Sequence, residues 1–379
     1  MSTLSLCMIV KNEENNLEQC LTSIADAVDE IIIVDTGSSD KTIEIAKRWT
    51  PYVYSFEWIN DFSAARNYAF SKATCDYVMW LDADDILFPS ARIALHELMQ
   101  TLDTEIDCVM MKYDIAFDVY GKTTFSYHRE RIIKNYCGFM WKEPVHEYID
   151  VRNGMRITTD ITVTHTKTPG PLSTRNIEIY ESRLAAGVKL SARGTYYYAR
   201  ELREHQRYID AICYFQKFLN DGGWSEDNIQ ACILLADCYE KVGEYKKQEE
   251  VLLQSFMYAL PRAEAACALG YIYKKRTKWQ EAIFWFKFAY TAPRPEHCWG
   301  FIQEDHWDYI PCIELAYCYS MVGDLELAIQ FNNRAGDFKP NDLAVRHNRD
   351  YFAAQDKKRQ KFVDVLEARR RKEEEENVT

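Results

Sequence analysis

The chain lacks a long apolar run, an excess of basic residues and a signal sequence. A membrane-spanning helix needs about 18–20 consecutive apolar residues, and none occurs in the 379 residues. The formal net charge of −12 argues against a general binder of nucleic acid or anionic membranes, because such proteins carry basic surfaces. The N-terminus has no basic segment followed by an apolar core. We therefore expect a cytoplasmic protein without nucleic-acid partners.

Paired cysteine motifs are also absent. The 12 cysteines are scattered, no Cys-x-x-Cys occurs, and several lie in apolar stretches, such as Cys7, Cys20 and Cys232. Disulfide frameworks are typical of short secreted chains, so we expect buried, reduced thiols. Apolar residues make up 47% of the chain, which is enough for hydrophobic cores, and the length predicts two domains.

Strand and helix patterns alternate in the first ~165 residues, with the caps and apolar spacing of an α/β domain. The predicted strands are 4–10, 30–35, 52–58, 76–81 and 107–114, and the predicted helices are 16–27, 38–49, 64–73 and 89–102. This alternation predicts a largely parallel sheet with helices on its faces. Short alternating segments in 120–163 predict added antiparallel strands.

The second half is helical and contains a repeat. After the proline- and glycine-containing segment 166–173, the residues Ala236–Tyr239 realign with Gly270–Tyr273, which lie 34 positions further along. A third copy begins at Ala316, after an insertion at 296–307. Because 34 residues is the period of tetratricopeptide repeats, we predict an all-α solenoid of four helical hairpins.

These patterns divide the chain into four parts. We predict an α/β domain at 1–170, a linker helix at 171–194, repeats at 195–341, and a capping helix with a frayed tail, from residue 373 onwards, at 342–379. Repeats of this kind present a concave surface that suits an extended peptide or protein partner. The same repeats can instead form a homodimer.

An acidic cluster directly follows the predicted buried strand 76–81. Asp82, Asp84 and Asp85 lie within four positions of one another, at the strand end where open α/β sheets bind ligands. Mg²⁺ and Mn²⁺ prefer hard oxygen ligands and commonly share them with substrate phosphates. The cluster therefore predicts a divalent metal that holds a diphosphate. The alternative is a solvated acidic turn that caps the next helix.

A second carboxylate, Asp35, ends the predicted strand 30–35 and precedes a glycine and small hydroxyl residues. Small residues let a ligand approach the backbone, and Asp35 can accept hydrogen bonds from a base or ribose. The segment also suits a helix cap, which Ser39 or Asp40 can provide.

Arg66 lies in the first turn of the predicted helix 64–73. A cation there opposes the helix dipole and suits an anionic ligand such as a phosphate. The alternative is a surface ion pair with Asp61 or Glu57, which would contribute little to stability.

Two histidine motifs complete the candidate set. In the segment 141–147, Glu147 or Glu143 can act as a general base if it reaches the acceptor's proton, and His146 can orient that base or bind phosphate. A structural role for His146 is the alternative. His165 ends a short strand, and because imidazole also suits Mn²⁺, we regard it as a candidate third metal ligand, with a structural role equally open.

The motifs SLCMIVKNEE, IIIVDTGSSDKT, FSAARN, MWLDADD, VHE and the histidine of VTH resemble those of inverting glycosyltransferases with the GT-A fold. With helical repeats behind them, the layout resembles that of bacterial peptide S-glycosyltransferases of the sublancin type. This resemblance implies a UDP-sugar donor, a Mn²⁺ or Mg²⁺ cofactor, and transfer of a hexose or N-acetylhexosamine to Ser, Thr or Cys of a peptide or protein on the repeat surface.

The resemblance also implies how the donor is bound. Val10, Asp35 and Arg66 would lie near the uracil. Asp84 would ligate the metal directly, and Asp82 would contact ribose or metal.

The resemblance further implies that His165 completes the metal site as a ligand. It implies that Glu147 is the general base, with His146 beside it. Asp85 departs from the family pattern, which leaves open which carboxylates bind the metal. Two rival functions remain at this stage: transfer to a polysaccharide or glycolipid, and a repeat scaffold whose α/β domain is inactive.

Overall fold

The computed structural model describes residues 2–166, 172–295 and 299–376, with side chains up to residue 371. Parts of the expected linker (167–171), insertion (296–298) and tail (377–379) therefore lie outside the described residues. The chain forms two compact units. The first comprises Met1–Gly243 and Pro295–Ile302, and the second comprises Glu244–Arg294 and Gln303–Thr379.

The first unit contains a sheet domain followed by four helices. Its strands are β1 (Leu4–Val10), β2 (Glu30–Asp35), β3 (Val53–Ser55), β4 (Tyr77–Trp80), β5 (Asp85–Ile86), β6 (Cys108–Phe117), β7 (Thr123–Lys134), β8 (Met140–Lys142), β9 (Tyr148–Asp150) and β10 (Arg156–His165). Its helices are α1 (Leu17–Ile24), α2 (Thr42–Trp49), α3 (Phe62–Phe70), α4 (Pro89–Thr101), α5 (Arg175–Ala185), α6 (Ala192–Glu204), α7 (Tyr208–Asp221) and α8 (Ser225–Lys241).

The sheet is mixed, with a parallel half and an antiparallel half. Among the described residues its main path runs β3-β2-β1-β4-β7-β6-β10-β5. The strands from β3 to β4 are parallel, as expected from the alternating pattern. β7 then pairs antiparallel to both β4 and β6, and β10 runs parallel to β6 but antiparallel to β5. The predicted α/β fold with added antiparallel strands is therefore confirmed.

Alternation along β1 places its side chains on both faces of the sheet. Leu6 and Met8 join the large core that also contains Leu21 of α1. Cys7 points to the opposite face and packs with Ala69 of α3. Helices thus cover both faces, which leaves the ends of the strands as the place where polar side chains can meet.

The second unit is helical apart from the start of its second segment. It contains α9 (Tyr245–Gln254), α10 (Ala263–Lys275), α11 (Trp279–Thr291), α12 (Tyr309–Met321), α13 (Leu325–Phe338) and α14 (Leu343–Glu376). The short strand β11 (Ile302–Gln303) lies where the two units meet along the chain. No helix among the described residues combines the length and apolar character that a membrane span needs.

The backbone turns confirm the repeat. Gly243 and Gly323 end the first helix of their hairpins with φ of +81° and +82°, and Thr277 takes φ +56° at the equivalent position. A residue in the left-handed backbone conformation just after a helix ends that helix, and glycine adopts this conformation with the least strain. The helical region is therefore a tetratricopeptide-like array. Its predicted boundaries, at residues 195 and 341, stay a prediction. The compact units do not mark them, because α6, α7 and α8 belong to the first unit.

Candidate functional site

A cavity of about 390 Å³ opens where β1, β4 and β10 end. We call it the first cavity. Its lining includes Val10, Arg66, Asp82, Asp84, His146, Glu147 and His165. The sequence-based predictions thus converge on one place. Asp35 does not line this cavity, and neither do the further candidates Asp85 and Glu143.

Arg66 of α3 lines the first cavity. Asp61 caps α3 by accepting a hydrogen bond from the backbone N–H of Ala64 at 3.0 Å, so the helix starts at Phe62 and Arg66 lies in its second turn. Arg66 is buried. Its guanidinium contacts Glu147 at 2.6 Å and Asp82 at 2.7 Å, so the expected surface pair with Asp61 or Glu57 is wrong.

Aromatic rings enclose the same guanidinium. The carbon Cζ of Arg66 lies 4.8 Å from the ring centres of both Trp80 and Trp141. This cation–π packing fixes the guanidinium plane. Burial acts to lower the pKa of Arg66, but its two carboxylate partners outweigh burial and raise the pKa above its ordinary value. Arg66 is therefore a permanent cation whose charge the site itself balances.

Asp82 faces this cation. Burial acts to raise the pKa of Asp82, but Arg66, Arg131 and Arg129 together lower it to about 2. Asp82 is therefore a carboxylate at any physiological pH.

Asp84, Asp85 and His165 form the candidate metal centre. Each offers one donor atom, and the three atoms lie within 4.8 Å of one another. The antiparallel pairing of β5 with β10 places His165 opposite Asp85, and Nδ1 of His165 lies 3.4 Å from an oxygen of each aspartate. Two carboxylates with one imidazole fit a Mn²⁺ or Mg²⁺ ion that completes its shell with phosphate oxygens.

Asp85 has a structural role in addition. It is fully buried, and its carboxylate accepts hydrogen bonds from the Tyr113 hydroxyl at 2.7 Å and from Arg131 at 3.1 Å. Helix α4 begins after Phe88 without a side-chain cap. The alternative of a solvated acidic turn that caps the next helix is therefore wrong.

His165 is electrostatically coupled to this cluster. Burial acts to lower its pKa, but the hydrogen bond with Asp85 and the charges of Asp84 and Asp82 outweigh burial and raise it. A cation near Nδ1, whether a proton or a metal, therefore stabilises the two buried carboxylates.

His146 forms its side-chain hydrogen bond with Glu201 and not with Glu147. Its Nε2 lies 2.7 Å from an oxygen of Glu201 on α6, and its ring stacks on Tyr197 with ring centres 4.3 Å apart. Asn176 also donates a hydrogen bond to Glu201. The helical region thus supplies the partner of the VHE histidine.

The two candidate bases differ in position. Glu147 lines the first cavity, and its side chain is 12% exposed. Glu143 instead accepts a hydrogen bond from the hydroxyl of Ser191, at the start of α6, at 2.7 Å, and does not line the cavity. The geometry therefore favours Glu147 as the residue that can meet an acceptor.

Asp35 shapes the neighbouring loop. Its carboxylate accepts hydrogen bonds from the backbone N–H groups of Gly37 and Ser38 at 2.9 and 3.0 Å. Asp40 accepts one from Thr42 at the start of α2, so this acid helps to begin the helix. Val10 lines the cavity at the end of β1.

Several residues of the site were missed from the sequence. Further lining residues are Lys11, Glu13, Trp58, Arg129, Arg175 and Asn176. Arg129 and Arg131 lie two apart on β7, and their guanidiniums both pack against Trp80, at 4.8 and 3.9 Å. This i, i+2 spacing places both on one face of a strand and was a usable signal. Nothing local marks Glu201.

Comparison with known proteins agrees with this architecture. Residues 5–161 match the family described as "Glycosyl transferase family 2". A "TPR repeat-containing protein" of Synechococcus elongatus is 36% identical over 150 residues, which cover 40% of this chain and 36% of the relative. The "SPbeta prophage-derived glycosyltransferase SunS" of Bacillus subtilis is 26% identical over 235 residues, which cover 58% of this chain and 54% of the relative.

The chain thus matches between about a third and about a half of the length of these two relatives. Among solved structures, glucosyl-3-phosphoglycerate synthase from Mycobacterium tuberculosis has a TM-score of 0.36 and 16% identity, covering 50% of this chain and 82% of that one. MamA has a TM-score of 0.34 and 16% identity, covering 44% of this chain and 88% of that one. Residues 5–161, which form most of the sheet domain, thus match the glycosyl transferase family 2 model, and tetratricopeptide-like helices follow them.

Proposed function

We propose that the protein is a metal-dependent, inverting glycosyltransferase that moves a hexose or N-acetylhexosamine from a UDP-sugar to Ser, Thr or Cys of a peptide or protein. One observation carries this proposal: Asp84 and His165, two members of the Asp84–Asp85–His165 cluster, line the same cavity as Glu147. The first group suits a metal-bound diphosphate, and the second suits a reacting acceptor.

Binding of the donor would use both charge and shape. Asp84, with His165 and Asp85, would hold Mn²⁺ or Mg²⁺, which offsets negative charge on the diphosphate. Lys11 and Arg175 line the same cavity. The pKa of Arg175 is lowered because burial outweighs the attraction of nearby carboxylates, so a phosphate would relieve an incompletely balanced cation. Val10 and the loop held by Asp35 would lie near the uracil.

Transfer would then be a single displacement. The acceptor's oxygen or sulfur attacks the anomeric carbon, the bond to the diphosphate breaks on the opposite face, and the configuration inverts. Glu147 takes the acceptor's proton as general base. Arg66 holds one oxygen of Glu147 at 2.6 Å, which positions the carboxylate, and Arg66 also keeps Asp82 in place through its second ion pair.

The acceptor is proposed to be a peptide because a helical array follows the catalytic domain. Tetratricopeptide-like repeats present concave surfaces that suit extended chains. The relative named as a TPR repeat-containing protein matches this chain in its sequence, which supports the combination of a transferase domain with repeats.

The test measures UDP release from a panel of UDP-sugars with Mn²⁺ or Mg²⁺. The unmodified protein is expected to release UDP from at least one donor only when metal is present. Asp84→Asn should remove the metal dependence and most UDP affinity, whereas Glu147→Gln should retain UDP binding and lose transfer. Asp103→Asn, at an exposed residue, is the matched control. Absence of UDP binding with either metal would refute the proposal.

A further inference from the structure

A second cavity, of about 400 Å³, adjoins the first within the first compact unit. His146 and Arg129 line both cavities. The second cavity lies outside the acidic cluster, since Asp82, Asp84 and His165 do not line it. The two cavities therefore share part of a wall, and the second lies next to the proposed base, Glu147.

Seven of its lining residues carry aromatic rings. The sheet contributes Phe125, Tyr127 and Tyr148, and the later segments contribute Tyr197, Trp224 and Phe301. The ring of Phe301 stacks on Phe125 at 5.4 Å and meets the edge of Tyr127 at 5.0 Å. Trp224 lines the cavity and is 47% exposed, so about half of this residue has no protein cover.

Guanidinium groups complete this wall. Arg200 lies 4.6 Å from the ring centre of Phe301 and 5.2 Å from that of Tyr197. Arg193 lies 4.9 Å from the ring centre of Tyr148. Each of these guanidinium groups lies against a ring, and an aromatic guest can stack on both kinds of surface.

Two of the three arginines of the wall, Arg193 and Arg129, are engaged with other groups of the protein. Arg193 donates hydrogen bonds to the carbonyl of His146 and to the hydroxyl of Tyr197, both at 3.2 Å, and lies 4.0 Å from Asp227. Arg129 donates to the carbonyl of Glu147 at 3.0 Å. A sugar would need acceptors and donors for each of its hydroxyls, whereas a flat apolar ring needs only the surfaces that remain.

We infer that the second cavity binds an aromatic side chain of the acceptor peptide, close in sequence to the residue that is modified. The inference rests on the proposed function and adds the chemical class of acceptor to it. An aromatic side chain buries about 150–250 Å², and a cavity of this size accommodates one ring. Its burial there would hold the adjacent Ser, Thr or Cys near Glu147.

The direct test uses small probes on the full chain. Binding of N-acetyl-L-tryptophanamide, N-acetyl-L-alaninamide and methyl α-D-glucoside is measured by saturation-transfer NMR in the presence of UDP and Mn²⁺. We expect the tryptophan amide alone to bind. Trp224→Ala and Phe301→Ala should each weaken it about threefold to tenfold, as expected for one lost ring contact. Phe284→Ala removes an exposed ring of α11 and should leave binding unchanged.

Either of two outcomes overturns the inference: preferential binding of the glucoside, or tryptophan-amide binding that Trp224→Ala and Phe301→Ala leave unchanged. Lack of tryptophan-amide binding at millimolar concentration also overturns it. Thermal unfolding of each variant confirms that it is folded. Because Trp224→Ala and Phe301→Ala lie on different segments, the test remains decisive if one of the two variants fails to fold.

A second measurement separates this inference from the proposed function. The protein is incubated with the UDP-sugar panel and random heptapeptides that carry a central Cys, Ser or Thr, and glycosylated products are sequenced by mass spectrometry. Trp, Tyr or Phe should be enriched at one flanking position, and Trp224→Ala should remove that enrichment. If products form without aromatic enrichment, only the second-cavity inference fails. If no UDP is released from any donor, the proposed function itself fails.

Discussion

At the scale of single residues, the charge balance of the first cavity depends on Arg66. One guanidinium serves two carboxylates, Glu147 and Asp82, and two indole rings hold it in place. A buried charge is tolerated only when it is paired and hydrogen-bonded. Arg66 therefore contributes to stability and at the same time positions the proposed base.

Replacing Arg66 tests both contributions. Arg66→Met keeps much of the side-chain volume but leaves Glu147 and Asp82 without their cation. Because loss of one partner of a buried ion pair costs about 3–5 kcal/mol, we expect a loss of roughly this size in the free energy of unfolding, measured by urea denaturation. Arg48→Met is the control. The pair of Arg48 with Glu18 is exposed, and its loss should cost at most about 1 kcal/mol. Equal losses in the two variants would contradict the assignment.

The site residues that could be predicted from the sequence are those whose position next to a strand or within a motif indicates a role. Asp82 and Asp84 follow a buried strand, and parallel strands carry ligands at their carboxyl ends. Glu147 and His165 belong to motifs whose resemblance to a known family was specific. Glu201 could not be predicted, because its contact with His146 spans 55 positions of sequence and nothing in its own helix marks it.

At the scale of elements, the candidate metal centre Asp84–Asp85–His165 depends on a strand of only two residues. The pairing of β5 with β10 aligns Asp85 with His165, and the backbone carbonyl of Asp84 accepts hydrogen bonds from Thr166. A two-residue strand has no alternating pattern, so the sequence did not reveal it. The parallel strands were predictable because each is a buried run of strand length.

Helix α6 is the other element that the site requires, through Glu201. Burial acts to raise the pKa of Glu201, but its hydrogen bonds with His146 and Asn176 lower it below the ordinary value. A carboxyl group with a lowered pKa in the folded protein stabilises the fold. This stabilisation is complete at pH values above the pKa of the unfolded state, about 4.3 for glutamate. It is lost as the pH falls through the lower pKa of the folded state.

Glu201→Ala is therefore expected to lower the free energy of unfolding at pH 7 by about 1–3 kcal/mol, the cost of removing a charged partner from buried hydrogen bonds. The difference from the unmodified protein should shrink as the pH falls below about 4. Urea denaturation over a pH series measures both effects. Glu204→Ala changes an exposed residue of the same helix and should cost under about 0.5 kcal/mol. A cost for Glu201→Ala that did not depend on pH would refute the electrostatic explanation.

At the scale of the whole molecule, the compact units do not follow the boundary that the sequence pattern suggests. The composition changes near residue 170, and the match to the family model ends at residue 161. The first unit nevertheless continues to Gly243. The reason is local: the segment that carries the VHE motif rests on helices α5 and α6, through Ser191 and Glu143, Arg193 and His146, and Tyr180 and Val145.

Truncation distinguishes the two boundaries. A fragment of residues 1–170 lacks α5 and α6, so it exposes Val145 and leaves His146 without Glu201. A fragment of residues 1–243 keeps these partners but lacks Pro295–Ile302. We expect the shorter fragment to show no cooperative thermal unfolding and no stabilisation by UDP with Mn²⁺. The longer fragment should unfold cooperatively and be stabilised by UDP, since every residue that lines the first cavity lies before residue 177 and α6 supports them.

A folded, UDP-binding fragment of residues 1–170 would show that the family domain is independent of the helices behind it, and Glu201 would then have no essential part in the site.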